Sequence, residues 1–499
     1  MARCILASTL TWPLAAALAA CAVGPDFKRP EPPSQATYGS ARLTEPTASA
    51  QGAGGDAQRF VAGLDIPGQW WTLFGSPKLT RLVDEALKSN PDITAAEAAL
   101  RQARELYIAQ KGSYFPLAQA GFGAARAKNA NATLANPTVS SSATYSLYTA
   151  QLSVSYAPDV FGGTRRLVEA ARAQSEASRF QLQAAYVTLS SNIVVAAVQE
   201  ASLRGQIAAT ERLLQLQREL TEKARQRRAL GTASELDLLA QESSEAQTAA
   251  TLPPLQKQLG QTRDAMAALL GRLPADEPEQ TFMPEDLTLP TDLPVSVPSR
   301  LVAQRPDVRQ AEENLHAASA EVGVALSEML PQFTINAATG SAAFELGRLF
   351  SPYTGFWDLG ASLSQTLFDG GALLHRRRAA DAALDEAAAQ YRAAVILACQ
   401  NVADTLRALQ ADADALKASV DADRAAKAAF DVARRQFELG TISLVAVLNS
   451  EQAYQQAELA VVQARASRYE DTAGLFQSLG GGWWNRSGEA LDEPPGTAN

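Results

Sequence analysis

The side chains able to do chemistry in this 499-residue chain are few, and the most informative is a thiol. Cys21 closes the run Leu18-Ala19-Ala20-Cys21, behind a positive start at Arg3 and an apolar stretch from Ile5 to Ala20 broken only by Ser8, Thr9, Thr11 and Pro13. That length suits a secretory signal and is short for a membrane-spanning helix. Bacterial lipoprotein signals end in this way. The thiol is alkylated by a diacylglycerol, cleavage leaves Cys21 as the new N-terminus, and its amine is acylated. Two or more acyl chains anchor a protein stably without a spanning helix. The alternative is an ordinary signal peptide cleaved nearby, with the cysteine incidental.

Little else in the chain is equipped for chemistry. Cys4 leaves with the signal, so only Cys399 stays as a free thiol, and packing without a disulfide must hold the fold. His316 and His375 are the only histidines and stand far apart without ligand-like company, so neither a histidine metal site nor a triad is expected. No nucleotide loop, metal cluster or nucleophile motif is evident. The expectation is therefore a non-enzyme with no cofactor beyond the lipid on Cys21. A net charge of -9 argues against nucleic acid as a partner.

The elements that must position any function are of two kinds. After the signal no continuous apolar run of about 18 residues occurs, so no spanning helix is expected, and a membrane crossing would have to be a barrel. Gly24 to Gly68, rich in Pro, Gly, Ala and Ser, reads as an extended tether leading to Trp70-Trp71. Beyond it the chain repeats itself. Pro91, Asp92, Glu97, Leu100 and Pro116 recur at one offset as Pro306, Asp307, Glu312, Leu315 and Pro331. Phe161-Gly162-Gly163 is echoed by Asp369-Gly370-Gly371, and Leu230-Gly231-Thr232 by Leu439-Gly440-Thr441. Ordered matches of this kind mark an internal duplication. Each half reads as short helix, Pro, strand pair, Gly-Gly turn, long helix, Leu-Gly-Thr turn, short helix.

The long helices are expected at about Thr164 to Ala229 and Ala372 to Glu438, each on the order of 100 Å at the rise of an α-helix. Leu182, Tyr186, Leu189, Ile193, Ala196, Glu200, Leu203, Ile207, Thr210 and Leu214 step alternately by four and three, and Leu384 to Leu416 carries a similar stripe. A sustained average of 3.5 is a coiled-coil repeat. Many flanking positions are Ala, which fits a sheet or cylinder of helices better than a two-stranded coiled coil. Between the helices, Tyr148 to Tyr156, Phe333 to Ala337 and Trp357 to Leu363 alternate apolar with polar, and Leu117 to Arg126 is a less clear strand. Apolar outside and polar inside is how a membrane barrel strand reads. Four strands cannot close around an aqueous bore, since about eight are needed even for a filled interior, so several copies must share one barrel. Lys128 to Thr144, full of Asn, Ser and Thr, reads as an exposed loop.

With these residues in place, the chain resembles the TolC-like outer-membrane efflux family in its lipoprotein, OprM/NodT-like branch. The motifs that carry the resemblance are Cys21 to Pro30, Trp70-Trp71 with Phe74, Asn90-Pro91-Asp92, Phe368-Asp369-Gly370-Gly371 and the two Leu-Gly-Thr turns. The resemblance implies a mainly α protein with a membrane β-barrel. Three copies would share one 12-stranded β-barrel above a long periplasmic α-helical barrel, with a belt from Leu273 to Ser299 and the C-terminus. Ala22, in place of Asp, points by family experience to the outer membrane. The implied function is the exit duct of a tripartite pump, conducting small molecules passively. Its partners would be two further copies, a periplasmic adaptor, an inner-membrane pump of the RND type and outer-membrane lipid. Leu230, Gly231, Thr232, Leu439, Gly440 and Thr441 would be the tips that meet the adaptor. Asp237, Val445 and Asn449 would form the periplasmic gate, with Ala446 standing where the family has a second aspartate; Asp237 equally suits a helix start. Arg165-Arg166 and Arg376-Arg377-Arg378, which follow the two Gly-Gly turns, suit pairing with lipid phosphates or neighbouring acids, and equally suit plain solvated faces. The expected divisions are a signal at 1–20, a lipidated tether at 21–70, repeats at 71–290 and 291–482, and a flexible tail at 483–499. The competing reading is a non-conducting, structural coiled-coil lipoprotein of the envelope.

Overall fold

A computed structural model of the chain describes residues 22–35, 37–38, 45–128, 144–232 and 234–486. Cys21, the signal, the interior of the 128–144 loop and the tail from residue 487 lie outside the described residues. In chain order the elements are β1 (Arg59–Ala62), α1 (Pro77–Ser89), α2 (Pro91–Lys111), β2 (Leu117–Lys128), β3 (Thr144–Tyr156), α3 (Gly163–Ala229), α4 (Glu235–Leu269), β4 (Asp292–Val295), α5 (Pro298–Gln304), α6 (Pro306–Ser327), β5 (Gln332–Ala343), β6 (Gly355–Ser364), α7 (Ala372–Glu438) and α8 (Leu444–Ser478). The duplication is written in their lengths: α3 and α7 both have 67 residues, and α4 and α8 both have 35.

The chain divides into two units, the first built from Met1–Arg29, Arg101–Ala177 and Ala311–Tyr391, the second from Pro30–Leu100, Ser178–Gln310 and Arg392–Asn499. In the first unit the four long strands form one antiparallel sheet in the order β2-β3-β5-β6. The register brings the alternating residues of all strands onto common faces. Phe122 lies opposite Ala150, Leu152 opposite Thr339, Val154 opposite Ala337, and Ala337 opposite Leu359. The less clear first strand thus joins the sheet with Ala118, Ala120, Phe122 and Ala124 on the apolar face. A one-residue slip would exchange the faces of a strand, so the pattern itself fixes the register.

Each long helix starts on an aspartate. Asp159 accepts from the amides of Thr164 (3.0 Å) and Arg165 (2.9 Å), and Asp369 from those of Gly371 (2.8 Å) and Leu373 (2.7 Å). These carboxylates satisfy amides that have no partner within the helix. The Gly-Gly echo was legible in the sequence, but the cap was less so, because Asp159 stands farther from its glycines than Asp369 does.

The second unit packs around Trp70, Trp71 and Phe74, all buried, with Trp70 stacked on Phe476 at 5.2 Å. Part of the tether is held in place, for β1 pairs in parallel with β4. The duplication reappears in a pair of contacts: the Asn90 amide donates to Leu269 O (2.9 Å) and the Arg305 guanidinium to Ser478 O (3.0 Å). Each closes the C-terminal end of the corresponding 35-residue helix. The buried stripe of α3 explains its own exceptions. Glu200 is fully buried between Arg204 (2.7 Å) and Arg263 (2.9 Å), and Thr210 donates back to Gln206 O. On α7 the stripe is less complete, with Ala388 exposed.

One expectation needs correction. The tail expected from 483 does not begin there, because Trp483–Asn485 forms a turn with Trp483 donating to Gln304 O (2.6 Å) and its ring edge-on to Phe180. A window of α3 reaches a mean hydropathy of 1.2, apolar enough on paper to span a membrane, yet 56% of it is buried within the protein. It is apolar because it is a core helix.

Candidate functional site

The sheet of the first unit carries two faces of opposite chemistry. On one, Phe122, Leu152, Phe333, Trp357, Leu359 and Leu363 are all exposed. On the other, Gln119 faces Ser153, Asn336 faces Ser155 and Thr334 faces Ser362. An uncovered apolar face behind a polar one suits lipid on one side and water on the other. The outer strands β2 and β6 have no further strand beside them among the described residues, which leaves backbone donors and acceptors available to another strand.

Residues Ala22 to Arg29 run over helices of the same unit as a docked strap. Val23 donates its amide to Phe161 O (2.9 Å). Arg166, 4% exposed, pairs with Asp26 (2.6 Å) and Glu169 (2.8 Å) and donates to Val23 O (3.2 Å). Arg29 pairs with the buried Glu312, and Phe27 stacks on His316 at 4.3 Å. Hydrogen bonding to Glu313 and Glu169 holds the His316 imidazole above its ordinary pKa, against the opposing effect of burial. Gly24, at φ +97°, lies so close to α6 that a Cβ there would meet Gly323 Cα at 2.4 Å. The strap therefore places the residue after Cys21 within a fixed cradle. Arg165 pairs with Asp159 (3.3 Å), so the first arginine cluster serves neighbouring acids, and for buried Arg166 the lipid-phosphate alternative fails. In the second cluster Arg376 and Arg377 make long pairs with Glu328 (3.5 Å) and Asp381 (3.7 Å) and stay largely exposed.

In the second unit the two Leu-Gly-Thr turns have the same geometry. Thr232 donates to Arg227 O and Gly231 to Arg228 O; Thr441 donates to Gln436 O and Gly440 to Phe437 O. Gly231 at φ +73° and Gly440 at φ +75° supply the left-handed residue that this helix ending needs. Both threonine hydroxyls return to the same carbonyls at 2.9 Å. Leu230 and Leu439 are left 78% and 79% exposed, a matched pair of apolar tips.

Of the three expected gate residues, Val445 and Asn449 lie one turn apart on an exposed face of α8, while the adjoining Leu444 and Val447 are buried. Ala446 is exposed beside them. Asp237 is committed locally: its carboxylate accepts from the Ser234 amide (3.2 Å) and hydroxyl (2.7 Å), completing a capping box at the start of α4. A cleft of about 200 Å³ joins the two hairpins, lined in part by Thr232, Asp237, Phe437 and Gly440, with the Arg227 guanidinium 5.2 Å from the Phe437 ring. No cluster of three or more potential metal ligands occurs among the described residues.

Sequence reasoning missed the buried polar centre of this unit. Arg468 is fully buried and donates to Gln58, Thr47 and the carbonyls of Gly54 and Asp56. Only its position on an otherwise apolar helix face could have signalled it.

Comparison with known proteins gives a consistent result. A model of the outer membrane efflux protein family matches residues 82–272 and 297–481, the two halves of the duplication. The chain is 30% identical over 478 residues to the pyoverdine export outer membrane protein OpmQ of Pseudomonas putida, covering 94% of this chain and 96% of that one. It is 29% identical to the toluene efflux pump outer membrane protein TtgF, from another strain of Pseudomonas putida, covering 96% and 97%. Among solved structures, the outer-membrane channel OprN aligns with a TM-score of 0.83 at 30% identity, over 93% of this chain and all of that one. The open state of the Neisseria gonorrhoeae MtrE channel aligns at 0.79 over 93% and 99%, and at 24% identity it speaks for the fold alone.

Proposed function

Because this chain belongs to the outer membrane efflux protein family, a family of export channels in that membrane, we propose that three copies of it close one barrel and form the exit duct of a tripartite efflux system. The carrying observation is the four-stranded sheet, apolar on one face, polar on the other and open at both edges. Alone it cannot enclose an aqueous bore, and three such sheets together supply twelve strands. Ile396 and Leu397, 62% and 53% exposed on α7, add apolar surface that a neighbouring copy would cover.

A diacylglycerol and an N-acyl chain on Cys21 would anchor each copy to outer-membrane lipid, and the docked strap supports this by holding the adjoining peptide in place. The tips at Leu230-Gly231-Thr232 and Leu439-Gly440-Thr441 present their exposed leucines to a periplasmic adaptor, which links the duct to an RND-type pump that supplies the energy. Val445 and Asn449, with Asp237 nearby, form the periplasmic gate. The chain needs no catalytic group for passive conduction, in keeping with its likeness to an export outer membrane protein and an outer-membrane channel.

Planar-bilayer recording of the detergent-extracted protein tests this reading. The expected result is a low conductance that rises in the V445A/N449A variant. A conducting protein unaffected by that change would remove those residues from the gate. A protein that never conducts would instead be the structural envelope lipoprotein.

A further inference from the structure

The polar face of the sheet does not stay polar. At the end where β2 leads to β3 and β5 turns to β6, the residues of that face become Tyr145, Leu147, Phe344 and Phe356. Strand parity assigns Tyr145 and Leu147, which alternate in step with Thr149 and Gln151, and a ring contact places Phe344, just past the end of β5, beside Tyr145. Phe356 lies opposite Gly340, which itself faces Gln151. Tyr145 and Phe344 meet edge to face, 5.6 Å apart at 83°. Phe344 is nonetheless 67% exposed, where a membrane strand's aqueous side would ordinarily carry a polar residue.

This is no loose loop tip. Between β5 and β6, Leu349 is 4% exposed, Thr354 donates its hydroxyl to the carbonyls of Leu349 and Ser351 (both 2.8 Å), and Ala342 donates its amide to Thr354 O. Phe344 leads into this bonded turn with its ring against Tyr145.

We infer that Tyr145, Leu147, Phe344 and Phe356 form an aromatic collar that narrows the conduction path at its outward mouth. This inference rests on the shared-barrel reading, in which the polar faces of three sheets enclose the bore and the collar is repeated in each copy. A ring of bulky side chains narrows the bore, so that it passes small solutes and slows large ones. It is a constriction separate from the gate at the helix tips.

The test uses the full-length protein with C399S and Q151C, in outer membranes with the external surface accessible. Gln151 sits on the polar face, inward of Tyr145 and Leu147. A small, charged, water-soluble thiol reagent and a bulky, membrane-impermeant maleimide are applied from outside. The expected result is ready reaction with the small reagent and slow reaction with the bulky one. Adding Y145A and F344A should accelerate the bulky reagent several-fold, whereas L359A on the opposite face should not. If the bulky reagent reacts at the same rate with and without the rings, the collar is wrong and the duct survives. If the thiol introduced by Q151C resists even the small reagent, the polar face bounds no aqueous bore, and both readings fall.

Discussion

Glu451 is 1% exposed on α8 and neither carboxylate oxygen has a hydrogen-bond partner. Burial pushes its pKa up to about 7, with the Gln217 side chain nearby pulling the other way. A carboxyl raised in the folded state binds more protons there than in the unfolded chain between its ordinary value and about 7, so stability falls as pH rises through that window. Replacing Glu451 by Gln should therefore stabilise the protein above pH 7, by on the order of 1–3 kcal/mol, and change little near pH 4. Thermal unfolding of both proteins across pH checks this, and a constant offset at every pH would contradict it. Glu242 stands as far beyond the first Leu-Gly-Thr turn as Glu451 does beyond the second, yet Glu242 pairs with Arg225 at 2.9 Å in a more open place. Sequence equivalence showed which residues correspond but not how deeply each is buried. Burial depends on helix packing in three dimensions, and for the same reason Arg468 stayed hidden.

The helix ends were more legible, because caps and turns are local chemistry. The Leu-Gly-Thr turns and the 67-residue helices follow from residue types alone, and the Ser234-to-Asp237 spacing carries the capping-box pattern. Asp237 was expected at a gate, with helix-start duty as its alternative; the geometry supplies the second role and leaves the first to experiment. The second half lacks this box: Ala446 replaces the aspartate and the Ser443 side chain makes no capping bond. Ser234→Ala should thus cost about 1 kcal/mol at the first tip, whereas Ser443→Ala should cost a few tenths. Hydrogen exchange of the first-turn amides of α4 and α8 measures both. Equal effects would show that the tips are alike in energy despite their sequences. Another asymmetry escapes local rules: α4 continues through Pro253-Pro254, although an interior proline removes a donor and crowds the preceding turn. Packing along a 35-residue helix outweighs that local penalty.

For the molecule as a whole, the sequence carried the plan through periodicity: steps of 3.5 for the helices, steps of two for the strands, and a duplication to relate the halves. The first strand was faint because its apolar side is mostly alanine, with Phe122 the exception. The outward collar was not seen at all, since its aromatic residues occupy the polar phase of strands read for their apolar phase. Lipidation at Cys21 and contact with an adaptor depend on groups and chains beyond the fold. The central claim concerns the open edges of the sheet. Within one copy β2 and β6 are separated by β3 and β5, roughly 14 Å at the usual strand spacing, too far for a disulfide. Between copies they should be neighbours. The decisive measurement is oxidative cross-linking in outer membranes of C399S protein carrying A120C on β2 paired in turn with L359C, A361C or L363C on β6. A shared barrel predicts that one register yields a ladder of monomer, dimer and trimer that ends there. Monomers at every register, or a ladder that stops at two or runs past three, would contradict it.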